Sequence, residues 1–321
     1  MVSAPVHFLP ELKEEMERDF DCTFSYGAGY HETETLLKEN EFDAWLISPC
    51  PTYFIDPPML DLCPTLKMVA TPSTGSNHLD VDYLKKRRIK FFCLKGSGVL
   101  NNIHASSEFT FNLMVFTIRK TPFAFEAVRN GNWRNLESRF RGRELNGLTL
   151  GLIGYGRIGS NLSRYSLAFG MNVLAYDPYV TIEEASVNQR DSIDDLLSEA
   201  DVLAVCVHLD EKTYKMVNAV MFEKMKNGVY FINTSRGDIV DEHALLKYLN
   251  NGKIKAAGLD VISNELSGNI RDNPLINYAS DNNNLIITPH IAGLTFESEE
   301  KAQTSAFNAI RDYLKTQKKD L

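Results

Sequence analysis

One stretch restricts the fold more than any other: "LTLGLIGYGRIGSNLSRYSLAFGMNVLAYDP", residues 148–178. An apolar run enters three glycines, Gly154, Gly156 and Gly159, and an amphipathic pattern follows them. A second apolar run then ends at Asp177, 18 residues after Gly159. A lone G-x-G-x-x-G can be a chance glycine loop; one that follows a strand, opens a helix and has an acid at this distance is a dinucleotide fingerprint. Each part has a physical task. Gly154 permits the tight turn, Gly156 lets the backbone approach a pyrophosphate, and Gly159 lets helix and strand pack closely. The amides of Arg157 and Ile158, in the first helical turn, offer donors to phosphate oxygens. Asp177 would accept hydrogen bonds from ribose hydroxyls and repel a 2′-phosphate, so the expected cofactor is NAD rather than NADP. The competing reading of Asp177 is a strand-end turn residue before Pro178.

The surroundings extend this pattern. From Leu148 on, six apolar runs ("LTLGLIG", "MNVLAYD", "DVLAVCV", "GVYFIN", "AAGLDV", "NLIITPH") alternate with helical stretches, which implies a doubly wound parallel sheet. Residues 1 to about 100 alternate similarly: "PELKEEMERDF", "CTFSY", "ETETLLKEN", "DAWLIS", "LKMVAT", "DVDYLKKRR", "IKFFCL". Between the two series, residues 101–120 read as a long, mostly buried helix, followed by a polar, arginine-bearing loop after Trp133. The last 25 or so residues read as a helix that returns to the first domain. With 321 residues the chain exceeds one ordinary core.

Composition excludes several classes of partner. A net charge of −8 argues against nucleic acid and against an anionic membrane surface. No apolar stretch approaches the roughly 18 residues a spanning helix needs, and the first residues lack the pattern of a signal peptide. The five cysteines are an odd number, widely spread and without a C-x-x-C, which suits reduced thiols in a cytoplasm and neither disulfides nor a metal site.

Three apolar runs end in groups a core would not choose. "NTSRGDIVDE" brings Arg236 to one exit, "GLDVISNE" brings Asp260 and Glu265 to another, and "IITPHIAG" brings His290 to a third. Ligands in open α/β sheets bind beyond the carboxyl ends of strands, so these four residues are expected to converge there. Singly, His290 is more often a structural histidine and Glu265 a solvated loop residue. Four such groups at comparable strand ends exceed coincidence, and they supply an imidazole that can move a proton and a guanidinium that can grip an anion.

At these residues the chain, from about 45 to 295, resembles the D-isomer-specific 2-hydroxyacid dehydrogenase family. The matching pieces are "STGSNHLD", "GLIGYGRIG", "VHLDEKT", "INTSRGDIVDE", "GLDV…E" and "TPHIAG", in family order. The resemblance implies two Rossmann/flavodoxin-like doubly wound parallel-sheet domains with an active-site cleft between them. Residues 1–100 with 295–321 would form the substrate-binding domain and 101–294 the NAD-binding domain. The resemblance assigns Arg236 to the substrate carboxylate and carbonyl, His290 to acid/base work and Glu265 to orienting and charging that histidine. It lines the cofactor with Tyr155, His208, Thr213, Thr234, Ser235, Arg236, Asp260, His290 and Gly293. The loop Ser73-Thr74-Gly75 would present amides to the substrate carboxylate. A homodimer held through the cofactor domain is expected too, the apolar segment Phe109–Ile118 and the loop after Trp133 exceeding what one core needs.

The chain departs from the family pattern in places. Ser73 stands where many members have glycine, Leu266 follows Glu265 where proline is usual, and "FFCLKGSG" puts Lys95 near the expected cleft. Lys95 could meet a second anionic group on the substrate, or simply face solvent. With so few residues after the last helix, the regulatory domain that many phosphoglycerate dehydrogenases carry is not expected. Formate dehydrogenases share the scaffold but have glutamine at the position of Glu265. An NAD(H)-sensing protein of the corepressor kind can keep the same catalytic residues, and only turnover separates it from an enzyme.

Overall fold

The computed structural model describes residues 1–266 and 270–317. The chain divides into two compact units. One comprises Met1–Ile103 and the C-terminal segment from Thr295, the other His104–Leu294.

The first unit is built on β1 (Ala44–Leu46), β2 (Met68–Ala70) and β3 (Lys90–Phe92), all parallel, in the order β1-β2-β3. Val2 extends this sheet through isolated parallel bridges to Leu46 on one side and Phe24 on the other. The spatial order Phe24, Val2, β1, β2, β3 is the flavodoxin-like arrangement 2-1-3-4-5. "CTFSY" therefore contributes one bridged residue rather than a strand. Alternate residues of each strand enter opposite layers, as the pleat requires. Trp45 and Val69 pack with Leu37, Met59 and Leu84 on one face. Leu46, Met68 and Ala70 pack with Met16, Ala306, Phe307 and Ile310 on the other. The last three belong to the terminal helix Phe296–Gln317, whose apolar face covers the sheet started at the other end of the chain.

The second unit carries seven parallel strands: β4 (Thr149–Ile153), β5 (Asn172–Tyr176), β6 (Val187–Gln189), β7 (Val202–Val205), β8 (Val229–Asn233), β9 (Ile254–Leu259) and β10 (Leu285–Ile287). Their order, β10-β9-β8-β7-β4-β5-β6, is the doubly wound Rossmann order with one strand added. Six strands coincide with the six apolar runs; β6, "VNQ", was hidden because only Val187 of its residues is buried. β7 and β8 are buried at every residue, the continuous apolar pattern of a parallel sheet covered on both faces. One core holds Leu203, Phe231, Ala257 and Leu259. The other holds Leu152, Ala204, Ile232 and Ala256 against Leu113, Met114 and Ile118 of the helix Ala105–Arg119. Burying each such Leu, Ile or Phe stabilises the fold by roughly 1.5–3 kcal/mol relative to exposure. That helix is the long buried one the sequence implied. A further helix, Thr121–Arg129, and a 3₁₀ segment, Arg134–Phe140, follow it.

Candidate active site

Functional side chains gather where the strands of the second unit end. β4 stops at Ile153 and the chain turns on Gly154, whose φ of +95° lies where side chains are disfavoured. A Cβ there would also stand 2.7 Å from the carbonyl oxygen of Cys206. At Gly159 a Cβ would collide with the Gly154 carbonyl, so the helix Arg157–Ala168 can lie this close only with glycine. A Cβ on Gly156 would meet nothing within 4 Å, so the protein's own packing does not demand glycine there. Arg157 and Ile158 occupy the first turn, where a helix has no carbonyl of its own for its amides.

Asp177 ends β5. Its Oδ2 accepts the Tyr155 amide at 2.9 Å and its Oδ1 accepts the Tyr179 amide at 2.9 Å. The turn role is therefore real, and so is a tie to the glycine loop. Each carboxylate oxygen keeps capacity for another donor, so ribose hydroxyls remain compatible. Together, the strained turn, the close helix start and the tethered acid fit a dinucleotide. Cys206 sits behind the loop, and burial pushes its thiol up to about 12.

The loop after β7 braces itself. Thr213 Oγ1 donates to the His208 carbonyl at 2.6 Å and accepts the Asp210 amide at 2.8 Å. The amides of Thr213 and Lys212 hold Asp210 below the usual carboxylate range. His208 itself is exposed.

Beyond β8, the buried Asn233 shapes the turn that carries Arg236. Its Oδ1 accepts the Ser235 amide at 2.9 Å and its Nδ2 donates to the Arg236 carbonyl at 2.9 Å. Ser235 Oγ donates to the Val205 carbonyl at 2.7 Å, and Thr234 Oγ1 lies 2.6 Å from Thr110 Oγ1. Both hydroxyls thus fasten the turn to its neighbours. Arg236 is partly buried, and its Nη1 donates to the Ser235 carbonyl at 2.6 Å. Gly237 follows, packed so tightly that a Cβ would fall within 3.0 Å of backbone atoms of Ile262 and Ser263. The Arg236 loop and the Glu265 loop therefore touch backbone to backbone. Sequence reasoning passed over Asn233 and Gly237; a polar residue ending a buried strand and the glycine after the arginine were the signals.

Asp260, 1% exposed, ends β9 and binds the next loop rather than pointing outward. Its Oδ1 accepts Thr288 Oγ1 at 2.5 Å and the Ile291 amide at 3.0 Å, and its Oδ2 accepts the Ala292 amide at 2.8 Å. Burial raises its pKa, and these three bonds oppose the shift. The loop so held carries His290, which adopts the left-handed region at φ +56°. His290 Nδ1 lies 2.6 Å from Glu265 Oε2, and Glu265 Oε1 accepts the Ile262 amide at 3.1 Å. Sequence-distant Glu265 and His290 are thus in direct contact. Arg236, Glu265 and His290 follow β8, β9 and β10, three adjacent strands. Gly293 is exposed nearby, 3.8 Å from Ser106 Oγ by its notional Cβ.

In the first unit, Ser73 lies on the loop after β2. Its Oγ donates to the Gly75 carbonyl at 2.6 Å and lies 2.9 Å from Thr71 Oγ1, which in turn is 3.3 Å from His78 Nε2. A serine in place of glycine thus serves to fasten the loop that contains Thr74. Lys95 is exposed, beside a turn at Gly96 with φ +79°. Among the described residues no group of three or more His, Cys, Asp or Glu could hold a metal, and no helix is long and apolar enough to cross a membrane.

Residues 111–292 match the model of the D-isomer specific 2-hydroxyacid dehydrogenase NAD binding domain. A D-3-phosphoglycerate dehydrogenase of Mycobacterium tuberculosis (strain ATCC 25618 / H37Rv) is 34% identical over 273 residues, 84% of this chain and 49% of that protein. The chain thus spans about half the length of the curated phosphoglycerate dehydrogenases it matches. A glyoxylate reductase of Thermofilum pendens is 35% identical over 263 residues, 80% of this chain and 74% of that protein. Among solved structures, a D-lactate dehydrogenase from Aquifex aeolicus, complexed with NAD and lactic acid, superposes with a TM-score of 0.81 at 31% identity, covering 98% of this chain and 95% of that one. With its NAD-binding fingerprint, its strand order and these relatives, the chain belongs to the D-isomer-specific 2-hydroxyacid dehydrogenase family.

Proposed function

We propose that this protein interconverts a D-2-hydroxyacid and its 2-oxoacid, with NAD as hydride carrier. The carrying observation is the 2.6 Å contact of His290 with Glu265, beside the strand whose exit turn carries Arg236. When bound, NADH supplies the hydride for the carbonyl carbon. What remains is a proton for the carbonyl oxygen and a countercharge for the carboxylate. His290 meets the first need, because imidazole exchanges protons near neutral pH and its Nε2 is the nitrogen turned away from Glu265. Glu265 fixes the orientation of the ring. Arg236 meets the second need, a guanidinium gripping a carboxylate through paired donors while polarising the carbonyl. In the oxidative direction, neutral His290 takes the hydroxyl proton.

In this reading residues 1–100 with 295–321 bind substrate and 101–294 bind NAD. The cofactor phosphates meet Gly154–Gly159 and its ribose meets Asp177. Asp260 acts on the nicotinamide side by holding the His290 loop. Ser73, Thr74 and Gly75 offer backbone amides to the carboxylate, and Lys95 meets a second anionic group on larger substrates. The working form is a homodimer, which the exposed Phe125, Val128 and Trp133 support.

NADH oxidation with glyoxylate, hydroxypyruvate, pyruvate, bulkier 2-oxoacids and phosphorylated ones tests the proposal. Turnover of at least one is expected. NADH binding without turnover across the panel would replace the enzyme with an NAD(H)-sensing protein.

A further inference from the structure

Beyond Asp177, between the ends of β5 and β6, lies a cavity of about 350 Å³. Its walls include Asp177, Tyr179, Thr181, Gln189, Arg190 and Asp191. The walls are held in place. Gln189 accepts the Ile182 amide at 2.9 Å and donates to the Val180 carbonyl at 2.8 Å, bracing the loop after Asp177. The Arg190 amide donates to the Ala175 carbonyl at 2.8 Å, fixing this residue to β5. Arg190 is the only base among the described residues that line the cavity. Its Nη2 donates to Glu199 Oε2 at 2.7 Å, and its Nε, shielded from solvent, has no hydrogen-bond partner. Glu199 lies outside the cavity, at the end of the helix Ile193–Glu199.

NADP differs from NAD by a phosphate on the ribose hydroxyl that Asp177 faces in the reading above. A guanidinium is the side chain best matched to phosphate, in geometry as in charge. A cavity next to Asp177 that contains an arginine should therefore weaken discrimination against NADP. Glu199 removes that attraction by occupying the guanidinium and cancelling its charge. We propose that the Arg190–Glu199 ion pair is a second determinant of NAD preference, with Glu199 a positioning residue that withholds Arg190 from a 2′-phosphate. This inference rests on the proposed nucleotide site.

Fluorescence titration with NADH and NADPH, of wild type, Glu199→Gln, Glu199→Gln/Arg190→Gln and Asp177→Ala/Glu199→Gln, tests it. Wild type should bind NADPH about 10- to 100-fold more weakly than NADH, because like charges at close range oppose the phosphate. Glu199→Gln should tighten NADPH by about 3- to 10-fold, the scale of one released charge at a partly exposed site, and leave NADH unchanged. Arg190→Gln in the same chain should erase the gain, and Asp177→Ala should add to it. An unchanged NADPH affinity in Glu199→Gln, or a gain that survives loss of Arg190, would overturn the role of the pair. Unchanged NADH affinity in the two variants that keep Asp177 also reports an intact fold, which a merely structural effect would not preserve. Wild type that binds neither nucleotide would overturn the nucleotide site and the pair together.

Discussion

Replacing Gly237 by alanine adds one methyl where the Arg236 and Glu265 loops touch. The new Cβ would stand within 3.0 Å of backbone atoms of Ile262 and of Ser263, closer than real Cβ atoms come to their neighbours. No flexible side chain is there to yield, so the two backbones must part. Overpacking by a methyl costs about 1–3 kcal/mol, and a backbone-on-backbone clash belongs at the upper end. For a domain of this size, about 3 kcal/mol lowers Tm by roughly 6–12 °C. The catalytic cost follows from the same displacement. Ile262 donates to the carboxylate that holds His290, so separating the loops disturbs the 2.6 Å contact and the position of Arg236 together. Misplacement on the order of 1 Å between reacting groups costs about 10²-fold. The assay is kcat/KM for NADH-dependent reduction of the best 2-oxoacid, with a thermal melt beside it. Gly29→Ala, which adds the same methyl where nothing lies within 4 Å, is the control. Gly237→Ala protein with the control's Tm and kcat/KM would show that the loop contact carries neither stability nor geometry.

Further outcomes follow from other residues. Glu265→Ala should lower kcat/KM about 10²-fold while leaving NADH affinity unchanged, because the His290 ring loses the carboxylate that orients it; unchanged turnover would show that the 2.6 Å contact does not position the ring. Cys206, its thiol pushed up to about 12, should resist alkylation at neutral pH and react only once unfolded, while exposed Cys50 reacts first; peptide mapping after iodoacetamide reads this directly. Phe125→Lys/Trp133→Lys should convert a dimer to monomer in sedimentation, and a wild type that is monomeric at micromolar concentration would remove the dimer proposal. Lys95→Ala should raise KM for a doubly anionic substrate and leave glyoxylate nearly unchanged; equal effects on both would return Lys95 to solvent.

The glycine motif was legible in sequence because Gly154 and Gly159 answer steric demands that no other residue meets, and such demands leave an unambiguous mark. The six buried strands were legible because parallel strands covered on both faces are continuously apolar. β6 was not, since an edge strand needs no apolar run. The bridge at Val2 was equally hidden: one residue cannot show a period. Arg236, Glu265 and His290 could be picked out as costly residues at strand exits, but the 2.6 Å contact between residues 265 and 290 depends on three-dimensional register. Asp260 illustrates the remaining gap. A buried carboxylate at a strand end invites a ligand-facing reading, whereas its hydrogen bonds to Thr288, Ile291 and Ala292 make it the clamp of the neighbouring loop. Its type was visible in the sequence; its partners were not.

The left-handed backbone at His290 changes what a knockout at this position measures. At φ +56°, alanine pays a penalty of about 1–2 kcal/mol that glycine escapes and asparagine largely avoids. The alanine variant therefore mixes two losses, the imidazole and a relaxed loop, and would overstate the chemical contribution of the ring. Asparagine keeps a polar side chain and tolerates the same dihedral, so it reports the ring alone. The ratio of the two variants' rates then becomes a measurement of how firmly Asp260 holds its loop. Histidine, asparagine and aspartate are the side chains most at ease in that conformation, and histidine is the one of the three that titrates near neutral pH. Position 290 thus admits a very short list of residues before any reaction is considered.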